Sequence, residues 1–388
     1  MRILLVNFME TTAPGGINKT VQEIATHLVK FGNRVTILQD NALNLDSHSF
    51  HNGYEIIRIS SNFGKVFYGM SYEVIIYLKN NIKYLNPDII HVHGYATFFS
   101  TSIIIYLRKF LKISIPIVFS PHYGTNSHDT FAGKHLWNIY SIYGKLVFKY
   151  ADVIICASHF ERENVLKCFN LDPCKLILIP HGVDQFRQLT KDKKDKIRLL
   201  YAGYLLELKG IQFILYAINV LIENYNIDVK LTIIGDGNYK NKLLKLARSL
   251  SIQNHIEWYQ FFPAEKLYEE YMKSDIFILL SVSENYGIVV AESLAHGTPC
   301  IVAKTTALNE FINEPGCFGI EYPPNPKDLA DLIVKITKNR IEVGPFSNKI
   351  RTWDKVVEDY QHIYIDLVNL KSKDDNVKEN RAKTDELA

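Results

Sequence analysis

The chain has 388 residues, 47% of them hydrophobic, with 44 Lys and Arg against 41 Asp and Glu. That length supplies two domains with a core each, and a net charge of +3 excludes the strong electrostatic field of a nucleic-acid binder. Five scattered cysteines (Cys156, Cys168, Cys174, Cys300 and Cys317) form no Cys-x-x-Cys pair, which points to buried thiols in a reducing, cytoplasmic setting and away from a disulfide framework.

The apolar run 1–6 is too short for the core of a signal peptide and reads as a first strand. Ala13-Pro-Gly-Gly-Ile17 follows it and precedes an amphipathic helix over 17–31; Gly15 and Gly16 permit close backbone approach to an oxyanion. Strands over 34–38, 56–59, 88–92, 117–120, 153–156 and 176–179 complete a first half. His91 and His93 share one face of the 88–92 strand region without a third ligand at a suggestive spacing, and are read as structural. The apolar helix 98–111 carries Arg108, Lys109 and Lys112 at its end. It reads as a helix packed on a sheet, and its composition also suits peripheral membrane contact. His122 lies just past the 117–120 strand. Dense in Lys and Asp and poor in apolar residues, 184–196 reads as an interdomain linker, with the boundary at 183–195.

A second half begins afresh with strands over 197–202, 229–234, 256–259, 276–280 and 300–303. Strands alternating with helical patterns throughout make an α/β chain with parallel sheets. Gly203-Tyr-Leu-Leu-Glu-Leu-Lys-Gly210 follows the first of these strands, where the Lys209 ammonium is a compact partner for a diphosphate. The glycines of Ile233-Ile-Gly-Asp-Gly237 are read as leaving room for a nucleotide base. After the 276–280 strand, Glu284 falls in a loop, Gly287 frees the backbone to turn, and Glu292 lies more than one turn inside the helix that follows. Amides near Tyr286, Gly287 and Ile288 at that helix start suit a phosphate while the carboxylates suit hydroxyls, so the constellation fits a sugar joined to a phosphate. Near the end, Trp353, Val356, Val357, Tyr360 and Tyr364 recur at helical spacing, and the charged residues beyond 371 are read as a disordered tail.

On Glu284, Glu292 and the strand–loop–helix–strand unit of 275–303, the chain resembles family 4 of the glycosyltransferases, retaining enzymes of the GT-B type with two Rossmann-like domains facing across a cleft. The resemblance implies an N-terminal acceptor-side domain over 1–183, a nucleotide-sugar-binding domain over 184–350, a helix over 351–370 returning to the first domain, and the tail over 371–388. It implies transfer of a hexose from a nucleoside diphosphate sugar to an acceptor hydroxyl with retention, in glycan or polysaccharide assembly. Glu284 would hold sugar hydroxyls, Glu292 the ribose, Lys209 the leaving diphosphate, and His122 donor and acceptor hydroxyls. Gly15, Gly16, Tyr204, Asn285, Tyr286, Gly287 and Ile288 would contact the donor. Tyr204 stands where many members carry arginine, and Gln260 where relatives commonly have glycine. There is no Asp-x-Asp triplet, which fits a site that works without a metal or any cofactor beyond the nucleotide sugar. The acceptor would be a glycan, a lipid-linked sugar or a glycoprotein precursor. The same fold is open to a sugar-nucleotide epimerase, a phosphorylase, or a non-catalytic nucleotide-sugar binder.

Overall fold

The computed structural model describes residues 1–61, 69, 71–124, 131–184, 196–339 and 341–385, the side chains of 131–139 and 374–385 excepted. Most of the linker, 185–195, therefore lies outside the described residues. The chain divides into two compact units, Met1–Pro180 with Trp353–Ala388, and His181–Thr352.

In the first unit β1 (Arg2–Val6), α1 (Gly16–Lys30), β2 (Arg34–Asp40), β3 (His48–His51), β4 (Tyr54–Ile59) and α2 (Tyr72–Leu85) lead into β5 (Ile89–His93) and α3 (Phe98–Ile105). Then follow β6 (Ile117–Ser120), α4 (Phe131–Tyr150), β7 (Val153–Cys156), α5 (His159–Phe169) and β8 (Leu176–Leu178). The sheet runs in the order β3-β4-β2-β1-β5-β6-β7-β8. Every described pairing is parallel except β3 with β4. The central strands are buried apart from Arg2, β1 and β6 as nearly continuous apolar runs and β5 with His91 and His93 among its apolar residues, because helices cover both faces.

The short edge strand β3 is absent from the sequence reading. It is joined to β4 by Asn52 and Gly53, with φ of 47° and 86°, a two-residue hairpin turn whose Asn-Gly signature was present in the chain. The apolar helix anticipated over 98–111 is α3 continued by a π-helical turn, Tyr106–Phe110. Phe99, Ile103, Ile104 and Leu107 are fully buried in the core beneath it.

The second unit comprises β9 (Ile197–Ala202), α6 (Ile211–Glu223), β10 (Val229–Ile234), α7 (Lys240–Ser249), β11 (Ile256–Tyr259) and α8 (Ala264–Lys273). It continues with β12 (Ile276–Leu279), α9 (Ile288–Ala295), β13 (Cys300–Ala303), β14 (Cys317–Ile320) and α10 (Pro326–Lys338). The all-parallel order β11-β10-β9-β12-β13-β14 is the dinucleotide-fold order 3-2-1-4-5-6 counted within the unit, and it reverses direction between β9 and β12. Only β14, four residues long with Gly319 inside it, escaped the sequence reading.

The last helix, α11 (Trp353–Asp385), belongs to the first unit. Trp353, Val356, Val357, Tyr360 and Tyr364 are its buried stripe. His27 Nδ1 lies 2.6 Å from Asp354 Oδ1, and Asn33 Nδ2 donates to Gln361 Oε1 at 2.9 Å, pinning α11 to α1 and its following turn. The helix runs through 371–385, so the expected disordered tail is helical there. A helix already nucleated on a packed stripe can add exposed turns without further burial. No helix among the described residues is long and apolar enough to cross a membrane.

Candidate functional site

In an open parallel sheet, ligands bind beyond the carboxyl ends of the strands where the strand order reverses. The second unit places its candidate residues at that point. After β9 the chain turns through Gly203 to Lys209 and Gly210. Gly210 has φ of 73°, and a Cβ there would lie 2.3 Å from the Leu280 carbonyl oxygen; glycine alone lets this turn press against the end of β12. Lys209 Nζ consequently reaches Glu284 Oε1 at 2.5 Å and the Ser283 carbonyl at 3.4 Å, with both charged side chains largely buried.

Glu284 leads to Gly287, whose φ of 99° opens α9. A Cβ at Gly287 would come within 2.7 Å of Leu308 Cδ2. The first helical bond is donated by Val290 N to Gly287 O at 2.9 Å. The amides of Gly287, Ile288 and Val289 thus precede the intrahelical ladder, at the positive end of the helix dipole.

The remaining predicted residues are placed differently from one another. Asn285 is half-buried in the loop. The Tyr286 ring turns inward, its hydroxyl 2.7 Å from the Lys349 carbonyl and 3.1 Å from that of His181, so only its backbone faces the loop's chemistry. Tyr204 is 54% exposed, and its carbonyl accepts from the Tyr201 hydroxyl at 2.8 Å. Glu292 is 3% exposed and accepts from the Tyr271 hydroxyl of α8 at 3.1 Å. Burial and the Glu292 charge push the Tyr271 phenol well above its usual range, so it stays a donor. The structure therefore brings Lys209 and Glu284 together and directs Glu292 toward α8.

The glycines expected to leave room for a base serve another end. A Cβ at Gly235 would sit 1.9 Å from the Gly203 carbonyl, and one at Gly237 2.4 Å from that of Leu205. The space beside them is filled by the chain's own backbone.

In the first unit the strand order reverses between β1 and β5. Gly15 and Gly16 follow β1; Gly16 is exposed, and a Cβ there would meet nothing within 4 Å. Sequence reasoning missed what holds this turn. Arg58 of β4 donates from Nε to Glu10 Oε2 at 2.7 Å, and its terminal nitrogen to Glu10 Oε1 at 3.1 Å. Gln39 Nε2 donates to Glu10 Oε2 at 2.5 Å, and Thr11 Oγ1 to Gln39 Oε1 at 2.6 Å. No periodic pattern advertises such a pair; a buried arginine among the isoleucines of β4 was the available signal.

His122 follows β6 with φ of 49°, and its Nε2 lies 3.2 Å from His93 Nδ1 with the rings stacked. Burial lowers its pKa to about 4, so the imidazole is neutral at ordinary pH. The next residue is fixed by Glu161, also missed, whose Oε1 accepts from Tyr123 N at 2.6 Å and Oε2 from Ala157 N at 2.8 Å. Burial raises the Glu161 pKa to about 7. His91 is enclosed, with Nδ1 2.6 Å from the Tyr364 hydroxyl and Nε2 2.9 Å from Ser120 Oγ. No group of three or more His, Cys, Asp or Glu that could hold a metal occurs among the described residues.

Two family models match the chain: "Glycosyltransferase Family 4" over 14–187 and "Glycosyl transferases group 1" over 183–353. An uncharacterised glycosyltransferase of Methanocaldococcus jannaschii is 25% identical, covering 63% of this chain, which spans 64% of that relative's length. A second from the same organism is 27% identical over 89% of this chain and 94% of its own. The alpha-monoglucosyldiacylglycerol synthase of Streptococcus pneumoniae is 27% identical over 86% and 78%. Among solved structures, sucrose-phosphate synthase of Thermosynechococcus elongatus superposes with a TM-score of 0.81 at 17% identity, covering 95% of this chain and 99% of that one. The Anabaena protein HepE in complex with UDP-glucose gives 0.66 at 15% identity, covering 97% and 99%. At those identities the structures speak for the fold.

Proposed function

Because the chain belongs to the GT-B glycosyltransferases of the family 4 type, we propose that it moves a hexose from a nucleoside diphosphate sugar to an acceptor hydroxyl with retention at the anomeric carbon. The observation that carries this reading is the Lys209–Glu284 pair at the strand-order reversal, beside the amino end of α9. A diphosphate arriving there meets an ammonium and unpaired helix amides, and both stabilise charge that grows as the glycosidic bond breaks. No divalent metal is needed for that stabilisation.

In this mechanism Glu284 holds sugar hydroxyls and keeps the Lys209 ammonium in place, while Glu292, buried against Tyr271 of α8, is taken out of the expected ribose role and braces the helix. The incoming hydroxyl attacks the face from which the diphosphate departs, and the departing oxygen takes its proton. The neutral His122 imidazole suits a hydrogen bond to a donor or acceptor hydroxyl. Gly15 and Gly16 leave an exposed backbone for the diphosphate. With Tyr204 in the usual arginine position, Lys209 is the cation of its turn.

The UDP-glucose bound by HepE supports a nucleotide-sugar donor, and the name of the pneumococcal synthase supports a glycolipid acceptor. We place the enzyme in the cytoplasm, peripheral at the membrane, acting on a lipid-linked, glycan or glycoprotein acceptor. Incubation with a panel of nucleotide sugars tests the reading: nucleoside diphosphate release that requires an acceptor supports it. Interconversion of sugars, or binding without turnover, would replace it with epimerisation or sensing. Glu284→Ala should remove most transfer and leave the circular-dichroism spectrum unchanged.

A further inference from the structure

We propose that the outer face of α2, the end of α3 and α4 in the first unit forms a docking surface for a bilayer with anionic headgroups. The crossovers β4-α2-β5, β5-α3-β6 and β6-α4-β7 all step the same way across the sheet, and right-handed crossovers then put the three helices on one face. α3 packs against both α2 and α4.

α2 and α4 each carry exposed apolar side chains besides those packed on the sheet, and the turn that continues α3 carries one more. On α2, Val74, Leu78 and Ile82 are buried, yet Tyr72, Ile76 and Tyr84 are exposed, Tyr84 at 85%. Past α3, whose own apolar run is consumed by packing, Phe110 is 66% exposed. On α4, Val147 and Phe148 are buried while Ile142 and Leu146 are exposed, at 67% and 43%. Single exposed apolar residues are ordinary on any surface, but their recurrence on α2, on α4 and on the turn after the helix that both of these pack against marks an interaction face.

Lysines are interleaved with these side chains: Lys79 and Lys83 on α2, Lys109 and Lys112 after α3, Lys145 and Lys149 on α4, all exposed. Neither 98–112 nor 131–150 contains an Asp or Glu, and the Glu73 carboxylate of α2 accepts from Ser71. Among the described residues none of the six lysines joins an ion pair, whereas Lys196, Lys230, Lys273 and Lys304 of the second unit are each bound to an acid. Lysines with long apolar stems, tyrosines and aliphatic side chains on one face match the boundary between headgroups and acyl chains. A second copy of the chain would set lysines against lysines, so a bilayer is the occupant that the charge favours.

This surface would bring the proposed transferase to a membrane-held acceptor, and in that sense it rests on that reading. Vesicle binding is read without turnover, so the two fail separately. The test sediments the full chain with phosphatidylcholine vesicles, with and without phosphatidylglycerol. Binding is expected only to the anionic vesicles and should weaken as salt rises. Lys145→Ala with Lys149→Ala should weaken it about 25-fold, from roughly fivefold for each lysine near an anionic surface, and Ile142→Asp with Leu146→Asp should abolish it. Lys240→Ala with Lys242→Ala in the second unit should change nothing. Both α4 pairs lie on an exposed helix face, Lys240 is half-exposed and Lys242 exposed on α7, and circular dichroism checks that all three variants fold. Equal binding to both vesicle types, no binding by the unaltered chain, equal loss from the Lys240 and Lys242 pair, or concentration-dependent self-association relieved by the α4 substitutions would overturn the proposal.

Discussion

Both units reverse their strand order at the carboxyl edge of a parallel sheet, yet the two edges carry opposite chemistry. In the second unit the reversal holds a close ion pair, Lys209 with Glu284, beside a helix start. In the first it holds an exposed glycine turn, and the next loop along carries stacked imidazoles that burial keeps neutral. Strand order supplies a place and side chains decide what it does. A charged edge suits the departing diphosphate; the neutral imidazoles along the other edge suit hydroxyls, which a cation would pull out of position.

The comparison can be broken most forcefully at its supports. Arg58→Met strands the Glu10 carboxylate in the interior, and losing one partner of a buried pair costs about 3–5 kcal/mol, to be read as a lower urea midpoint. A loss below about 1 kcal/mol, the range of exposed pairs, would mean that the glycine turn does not depend on this network. Lys209→Ala should lower kcat about 10²–10³-fold, the usual cost of removing a group that stabilises transition-state charge, with folding intact. If His122 proves the more costly residue, the division into charged and neutral edges is wrong.

Acid sharpens the contrast within the first unit. His91, lowered to about 3 by burial, and His122, lowered to about 4 by the same cause, bind fewer protons folded than unfolded. Their stabilisation is present above the ordinary histidine value and is lost as pH falls through the window below about 6.5. Glu161, raised to about 7, works the other way: its contribution is lost as pH rises through that value. Two groups against one leave a net loss on the acid side. His91→Gln should flatten the slope by about 1.4 kcal/mol per pH unit, checked by urea unfolding across that range.

Smaller effects separate fold from ligand. His122→Asn keeps a residue tolerant of positive φ and removes the imidazole, so transfer should fall about tenfold, the worth of one neutral hydrogen bond, while the lost contact with His93 should cost about 1 kcal/mol of stability. Gly16→Ala meets no neighbour and should shift stability by less than about 0.5 kcal/mol while raising the KM for the donor. An unchanged KM would remove the glycine turn from donor binding.

Much of the architecture is legible in the chain because most strands are apolar runs bounded by turn residues, and twelve of the fourteen strands among the described residues can be read that way. β3 and β14 are short edge strands with mixed composition, where periodicity has little to work on. The meeting of Lys209 and Glu284, 75 residues apart, depends on β9 lying beside β12, and strand order leaves no periodic trace. The partners of Glu10 and of Glu161 were hidden for the same reason: Arg58 and Tyr123 are distant in the chain and are joined to them through burial. Gly235 and Gly237 show the converse error, since a glycine marks close approach without saying whether the approaching group is a ligand or the chain itself.

The central claim is that Lys209 and the start of α9 receive a nucleoside diphosphate. Titration calorimetry with UDP, GDP and ADP, on the unaltered chain and on Lys209→Ala, addresses it directly. One of the three should bind, and the substitution should weaken it about tenfold or more, as expected for a charge-assisted contact. Equal affinity in both proteins, or no binding of any of the three, would contradict the account.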